Sequence, residues 1–204
     1  MGHPIFARAF ARLIRCAEPT LEAYRHELLA GLRGRVAEIG AGTGASFEHY
    51  PSEVHELVAV EPEPYLLRLA KQAARAAPIP VRVVDGTAES LPLEAGAFDA
   101  AVVSLVLCSV PEQAPALAEI RRVLRPGGEL RFLEHVAAPP GAPLRRAQHV
   151  LDLVWPRIGG GCHTAHETVA AIEAAGFAVE QLREFDLHRG PTRPHVLGVA
   201  RKAD

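Results

Sequence analysis

The sequence predicts an α/β protein with a doubly wound, Rossmann-like, seven-stranded sheet whose last strand is antiparallel. Between residues 35 and 136, five apolar strand-like segments alternate with helix-like segments, as expected for a parallel sheet with crossover helices. The first of these strands ends in glycines at positions 40, 42 and 44, which is typical of a sharp strand-to-helix turn. The last two strands are joined through the loop 189–194, which is too short for a crossover helix, so they must pair antiparallel.

The chain divides into an N-terminal helical flap, residues 1–34, and one larger domain, residues 35–204. Residues 5–16 have helical apolar spacing with arginines on the opposite face. This short helix could pack on the body, cover a cofactor pocket as a flap, or make a weak peripheral contact with a membrane. We favour packing or a flap, because so short a segment binds lipid weakly. A second helical stretch, Leu21 to Leu32, leads to the first strand.

The elements of the larger domain follow in order. Two capping boxes are predicted, one at Ser109 and Glu112 and the other at Thr164 and Glu167. A glycine-rich interruption at 159–161 separates the last two helices. The predicted strands are 36–39, 57–61, 81–85, 98–107, 129–136, one from Phe177 and 195–200, and the predicted helices begin at Ser46, Pro62, Ser109, Leu144 and Thr164.

Composition excludes several classes of protein. The 204 residues carry a net charge of −2, which gives no electrostatic footprint for nucleic acid. Three widely spaced cysteines argue against a disulfide framework and favour a cytoplasmic location. No apolar run approaches the ~20 residues of a membrane span and nothing resembles a signal peptide, so we expect no integral membrane segment.

The glycine-rich turn predicts a nucleotide-like cofactor, because glycines allow close approach and a helix N-terminus attracts a negative group. Gly40 and Gly42 with Ala45 also satisfy the dinucleotide fingerprint, and Glu61 lies about 20 residues further on, as in NAD-binding folds. Two further acids favour S-adenosyl-L-methionine instead. Glu38 precedes the turn, where it could face an ammonium group, and Asp85 ends the third strand, where it could meet an adenine amino group.

The sequence carries Glu-x-Gly-x-Gly-x-Gly at 38–44, Glu61, Asp85, Phe98-Asp99 and Leu124-Arg-Pro-Gly-Gly128. With this set of motifs it resembles the class I S-adenosylmethionine-dependent methyltransferases. A narrower resemblance links the segments 47–51, 105–110, 133–138, 161–162 and 193–198 to the methyltransferase-like thiol S-methyltransferases, whose animal members methylate small alkyl thiols at membranes. We expect no counterpart of their long hydrophobic N-terminal anchor in this chain.

The resemblance implies a role for each cofactor-binding position. Glu38 lies near the methionine ammonium, while Gly40, Ala41, Gly42 and the following helix hold the carboxylate. Glu61 takes the ribose hydroxyls, with Pro62 beside the adenine. Asp85, Gly86 and Ala88 read the adenine edge, and Ser104 and Leu105 lie beside the methyl group.

The catalytic candidates are residues that could take a proton from a thiol. His135, at the end of the fifth strand, is the first candidate, and His149 with Asp152, three residues apart on one helix face, is the second. His163, in the glycine-rich turn, is the third. For each histidine, a capping or solvated role is the alternative. No acid cluster follows the fourth strand, so we expect no metal.

The sequence is compatible with three functions. The leading hypothesis is S-methylation of a small thiol; the others are C- or O-methylation of a quinone precursor or lipid, and cofactor binding without turnover. Cys108 and Cys162 also suggest an arsenite methyltransferase, but that chemistry needs a third cysteine, and Cys16 would have to come from the flap. Cys108, in an apolar strand end, is more typical of packing.

Overall fold

The structure is a computed structural model, and it describes Arg8 and residues 21–187 and 190–203. The predicted helix at 5–16, Cys16 and part of the 189–194 loop therefore lie outside the described residues, apart from Arg8. The sheet has seven strands in the order β3-β2-β1-β4-β5-β7-β6. The strands are β1 Gly34–Ile39, β2 Val54–Val60, β3 Val81–Val84, β4 Phe98–Ser104, β5 Leu124–His135, β6 Phe177–Asp186 and β7 Pro194–Lys202.

The first five strands are parallel, and β7 pairs antiparallel with both β5 and β6. This confirms the predicted doubly wound sheet with its terminal antiparallel hairpin. The carboxyl ends of the parallel strands share one edge of the sheet, where open α/β folds bind ligands. The helices are α1 (residues 21–29), α2 Pro64–Ala73, α3 Gln113–Val123, α4 Pro143–Leu151, α5 Trp155–Ile158 and α6 Thr168–Ala174.

Helices cover both faces of the sheet because alternate residues of each strand point to opposite faces. On one face, Ile39 and Val103 belong to an apolar cluster with Leu117 of α3 and Ile172 of α6. On the other, strand residues pack with α1 and α2 in a second cluster: Val36, Leu57, Val102, Leu28, Leu29 and Ala70. Helix α1 is therefore part of the core of the body.

Both predicted capping boxes are wrong. The residue before α3 is Glu112, which makes no side-chain cap, and the Ser109 hydroxyl instead donates to the Leu105 carbonyl at 3.4 Å. Helix α6 begins only at Thr168, because the Thr164 side chain bonds backward to Asp152 at 2.6 Å. In both places a tertiary partner competes with the local cap.

Two other predicted elements are shorter than expected. The predicted strand 98–107 ends at Ser104, because Leu105 takes a φ of +59°. The predicted helix after the glycine turn is a three-residue 3₁₀ turn, Phe47–His49. It stops because Tyr50 is extended before Pro51, and a residue that precedes proline disfavours the helical region.

Candidate active site

The turn after β1 is built from glycines in a conformation that other residues rarely adopt. Gly40, Gly42 and Gly44 have φ values of +71°, +58° and +78°. The amides of Gly40 and Ala41 both donate to the Val60 carbonyl, at 2.8 and 3.1 Å, which fixes the turn against the end of β2. A short 3₁₀ turn, not an α-helix, follows the glycines. The prediction that a helix N-terminus faces the ligand here is therefore wrong, and the backbone of the glycine turn is the surface that a ligand can approach closely.

Glu61, directly after β2, holds this turn in place. Its side chain is 4% exposed, and its two carboxylate oxygens accept the Gly42 amide at 2.8 Å and the Glu63 amide at 2.9 Å. Burial raises the pKa of Glu61, and the two amides oppose that shift. Each oxygen has further acceptor capacity, so the carboxylate can also take hydroxyl donors from a ligand.

Glu38 is buried on β1 just before the turn. Its carboxylate accepts a hydrogen bond from the Tyr50 hydroxyl at 3.0 Å, and Ser46 also bonds to it. Burial raises its pKa to about 7, while these bonds and the charge of Arg25 lower it. A cationic ligand group at this carboxylate would favour the ionised form.

The predicted adenine-edge residues lie around the end of β3. Asp85 is exposed directly after the strand, and its charge raises the pKa of Glu61. Ala88 is buried in the loop that follows. Gly86 packs against Pro92, and a Cβ added at Gly86 would lie 2.5 Å from the Cδ atom of Pro92. Pro62 is exposed beside Glu61. The structure therefore brings these residues to the same edge as the glycine turn.

The end of β4 carries backbone strain. Ser104 is half-buried, and Leu105 has a positive φ, a conformation that is uncommon for a residue with a Cβ. The Leu105 amide donates to the Leu133 carbonyl of β5 at 2.8 Å. Strained residues of this kind cluster at active sites, where surrounding contacts hold them.

The loop that follows Leu105 is held by Glu134, a residue whose role the sequence reasoning missed. This fully buried carboxylate accepts the amides of Val106, Leu107 and Cys108 at 2.9, 3.0 and 3.1 Å. Burial raises its pKa to about 7, against the effect of the three amides. An acid at the end of a buried strand is the signal that identified Glu38, and it applied equally to Glu134.

His135, the first catalytic candidate, ends β5 beside this loop. It is 2% exposed, and its Nδ1 lies 4.0 Å from the Cys162 sulfur. Its ring meets that of His195 edge to face, with centroids 5.6 Å apart. Its Nε2 is buried and has no hydrogen-bond partner within the described part of the chain. The imidazole is therefore held in place, and its buried Nε2 is left without a partner among the described residues.

The other catalytic candidates do not form the predicted arrangement. His149 is exposed on α4, whereas the Asp152 carboxylate accepts the Thr164 amide at 2.5 Å and lies 3.7 Å from His163 Nδ1. The structure therefore pairs Asp152 with His163 in place of His149, because the turn after α5 folds back over the end of α4. His163 stacks on His166, with ring centroids 4.6 Å apart.

Comparisons with known proteins identify the family of this chain. Residues 37–132 match the family model described as a methyltransferase domain. The chain is 39% identical over 181 residues to thiol S-methyltransferase TMT1B of Homo sapiens, covering 85% of this chain and 74% of the relative. It is 34% identical over 128 residues to the demethylmenaquinone methyltransferase of Thermus thermophilus, covering 62% of this chain and 58% of the relative.

A solved structure of geranyl diphosphate methyltransferase in complex with SAM superimposes with a TM-score of 0.73 at 17% identity. It covers 97% of this chain and 90% of that chain, and it shows the shared fold. The fold, the glycine turn and the acids at the strand ends define a class I S-adenosylmethionine-dependent methyltransferase. The chain belongs to the methyltransferase family that includes human TMT1B.

The residues present fit S-adenosylmethionine. Three acids match the chemistry of this cofactor: the buried Glu38 before the turn suits an ammonium, Glu61 after β2 suits a diol, and the exposed Asp85 after β3 suits an adenine amino group.

In the described ranges, no group of three or more metal-ligating side chains is placed to hold an ion. Within those same ranges, none of the helices combines the length and the apolar character that crossing a membrane requires.

Proposed function

We propose that this methyltransferase acts on a small thiol and that His135 takes the proton of the thiol. The observation that carries the proposal is the buried imidazole with an unpartnered Nε2 beside the loop after β4. The relative named thiol S-methyltransferase, with which the chain aligns over most of its length, supports the acceptor class.

The cofactor is held by the chain's own residues in this proposal. Glu38 faces the ammonium, Gly40, Ala41 and Gly42 face the carboxylate, and Glu61 takes the ribose hydroxyls with Pro62 alongside. Asp85, Gly86 and Ala88 border the adenine. When bound, S-adenosylmethionine supplies a methyl group already attached to a sulfonium leaving group. The geometry of the glycine turn and the position of Glu61 support this assignment.

The protein then contributes position, exclusion of water and a proton acceptor. Ser104 and Leu105 border the methyl group, and Glu134 keeps their loop in a fixed conformation through its three amide bonds. A thiol with a pKa of roughly 8.5 or more is only slightly ionised at neutral pH. Nε2 of His135 accepts its proton, and the pair of His163 with Asp152 is the next candidate for that role.

A panel of methyl acceptors tests the acceptor class. Full-length protein and cofactor carrying a labelled methyl group are incubated with an alkyl thiol, an aryl thiol, a quinol and a lipid extract. We expect label in the thioethers. Label in the quinol alone would instead favour C-methylation, the second candidate, which the similarity to demethylmenaquinone methyltransferase supports. Cofactor binding without transfer to any acceptor would indicate a binding module.

His135→Ala separates a base from a packing residue. A base matters more for a thiol that ionises poorly, so the variant should slow methylation of a high-pKa alkyl thiol by roughly 100-fold or more and of an acidic aryl thiol far less. Its rate maximum should also move to higher pH, and His149→Ala, which changes an exposed residue, serves as the control. Equal losses for both thiols with an unchanged pH profile would show that His135 is not the base.

We also propose a cytoplasmic location, which the two described cysteines, both free, support. Residues 1–34 form the flap in this proposal, with α1 as its base on the core. The guanidinium of Arg8 lies 5.8 Å from the ring centroid of Tyr65 at the start of α2, which supports a flap on the cofactor side. We expect a small-molecule acceptor and no nucleic acid; a weak peripheral membrane contact through residues 5–16 stays a prediction.

A further inference from the structure

Two cysteines that are distant in sequence meet beside His135. The His163 amide donates to the Cys108 carbonyl at 2.7 Å, and a Cβ added at Gly161 would lie 2.6 Å from the Ser109 carbonyl oxygen. Because residue 163 is bonded to Cys108 through the backbone, its neighbour Cys162 lies close to Cys108, and a disulfide requires such proximity. The two thiols also influence each other's ionisation.

The two thiols have different surroundings. The hydrogen bond with Cys162, burial and the nearby Glu134 carboxylate all raise the pKa of Cys108 well above its ordinary value. Cys162 is half-buried, and the hydrogen bond from Cys108 and the contact with His135 lower its pKa to about 5, although burial opposes them. The titratable groups that face Cys162 are thus Cys108, His135 and, through its charge, His166. Cys162 is therefore the thiol that ionises first.

We propose that Cys162 is a peroxide-reactive thiol and that Cys108 is its resolving partner, so that oxidation joins the loop 105–110 to the turn 159–163. The thiolate of Cys162 attacks hydrogen peroxide, the O–O bond breaks, and the hydroxide that leaves takes up a proton. The sulfur of Cys108 then attacks the sulfenic sulfur, and its proton leaves with the hydroxyl as water. Two sulfurs are oxidised to one disulfide, and the peroxide is reduced to two waters.

The reactivity of this cysteine pair does not depend on which molecule accepts the methyl group. The partly exposed, ionised thiol reacts first, and the buried neutral thiol reacts second, which is the usual division between an attacking and a resolving cysteine. The new bond would connect the segment that carries the strained Leu105 to the glycine-rich turn beside His135. It would therefore fix two of the segments that border the candidate active site.

Mass spectrometry of the full-length protein tests the linkage. Reduced protein is treated with a few equivalents of hydrogen peroxide, blocked with N-ethylmaleimide and mapped without reduction. We expect a loss of two hydrogen atoms and a peptide that joins Cys108 to Cys162. The matched control Cys16→Ser should give the same linked peptide, whereas Cys108→Ser should accumulate a Cys162 sulfenic acid that dimedone traps. A linkage through Cys16, or a dimedone adduct on Cys162 in the unmutated protein without the linkage, would overturn the proposal.

A second measurement needs no variant. The rate of alkylation of Cys162 by iodoacetamide is followed by peptide mapping in native and urea-unfolded protein. Native Cys162 should react at nearly the same rate at pH 6 and pH 8, since it is ionised at both. In the unfolded chain the rate should fall on the order of a hundredfold between pH 8 and pH 6, as for an ordinary thiol. Parallel pH profiles in the two states would refute the proposed reactivity.

Discussion

Replacement of Glu61 tests the link between the glycine turn and cofactor binding. In Glu61→Ala, the amides of Gly42 and Glu63 lose the acceptors that now lie 2.8 and 2.9 Å away. A hydrogen bond to a charged group is worth about 1.5–3 kcal/mol, and the ribose hydroxyls would lose the same carboxylate. The expected loss in cofactor affinity is roughly 2–4 kcal/mol, or about thirtyfold or more.

The neighbouring Glu63 provides a matched control. Its carboxylate accepts the Tyr65 and Leu66 amides at 2.8 Å and caps α2, so Glu63→Ala should cost about 1 kcal/mol of stability. Its affinity for the cofactor should stay close to that of the unmutated protein. Calorimetric titration with S-adenosylhomocysteine gives the affinities, and urea denaturation gives the stabilities of both variants.

Glu61→Gln separates charge from shape. The amide side chain offers one acceptor oxygen, and its NH₂ group faces one of the two backbone amides, so this variant should lose most of the affinity that Glu61→Ala loses. If either Glu61 variant bound S-adenosylhomocysteine within twofold of the unmutated protein, the ribose would have to be held elsewhere.

Two further predictions concern stability. Gly40→Ala should cost about 1 kcal/mol or more beyond Gly96→Ala in urea denaturation. Both glycines have positive φ, +71° and +64°, but a Cβ at Gly40 would lie 2.5 Å from Val106, whereas a Cβ at Gly96 would have no described residue within 4 Å. Equal costs would show that Val106 moves freely. For Glu134, burial raises the folded-state pKa from 4.5 to about 7, so its stabilisation is fully present below the unfolded pKa and is lost as the pH rises through 7. The stability advantage of the unmutated protein over Glu134→Gln should therefore shrink by up to about 3 kcal/mol between pH 5 and pH 8, and an unchanged difference would argue that Glu134 ionises normally.

The sheet and its cofactor edge could be predicted from the sequence because they depend on local patterns. Strand length, apolar runs and the short last connection determine the topology, and the acids at 38, 61 and 85 identify the edge where the strands end. The structure places all three acids at that edge. Glu134 fits the same pattern. It was missed because the search for a proton acceptor at this strand end favours the neighbouring histidine, His135.

The local predictions that were wrong depend on contacts between distant segments. Thr164 has a partner in Asp152, and this partner is known only once the turn after α5 folds over α4. The same fold brings His163 to within 3.7 Å of Asp152, although the helical spacing predicts His149 as its partner. The contact between Cys108 and Cys162 likewise forms between two loops, so neither cysteine has a local signal that reveals the other.

The proposed reaction is the transfer of a methyl group from S-adenosylmethionine to the sulfur of a small thiol. Nuclear magnetic resonance with a carbon-13-labelled methyl donor follows this atom directly, with full-length protein and an alkyl thiol in one sample. We predict that the sulfonium methyl signal disappears as a thioether methyl signal grows in equal amount, and that Glu61→Ala slows both changes at limiting cofactor. A sulfonium signal that persists although the cofactor is bound, or a label that appears on carbon or oxygen of another acceptor and never on the thiol, would contradict the account.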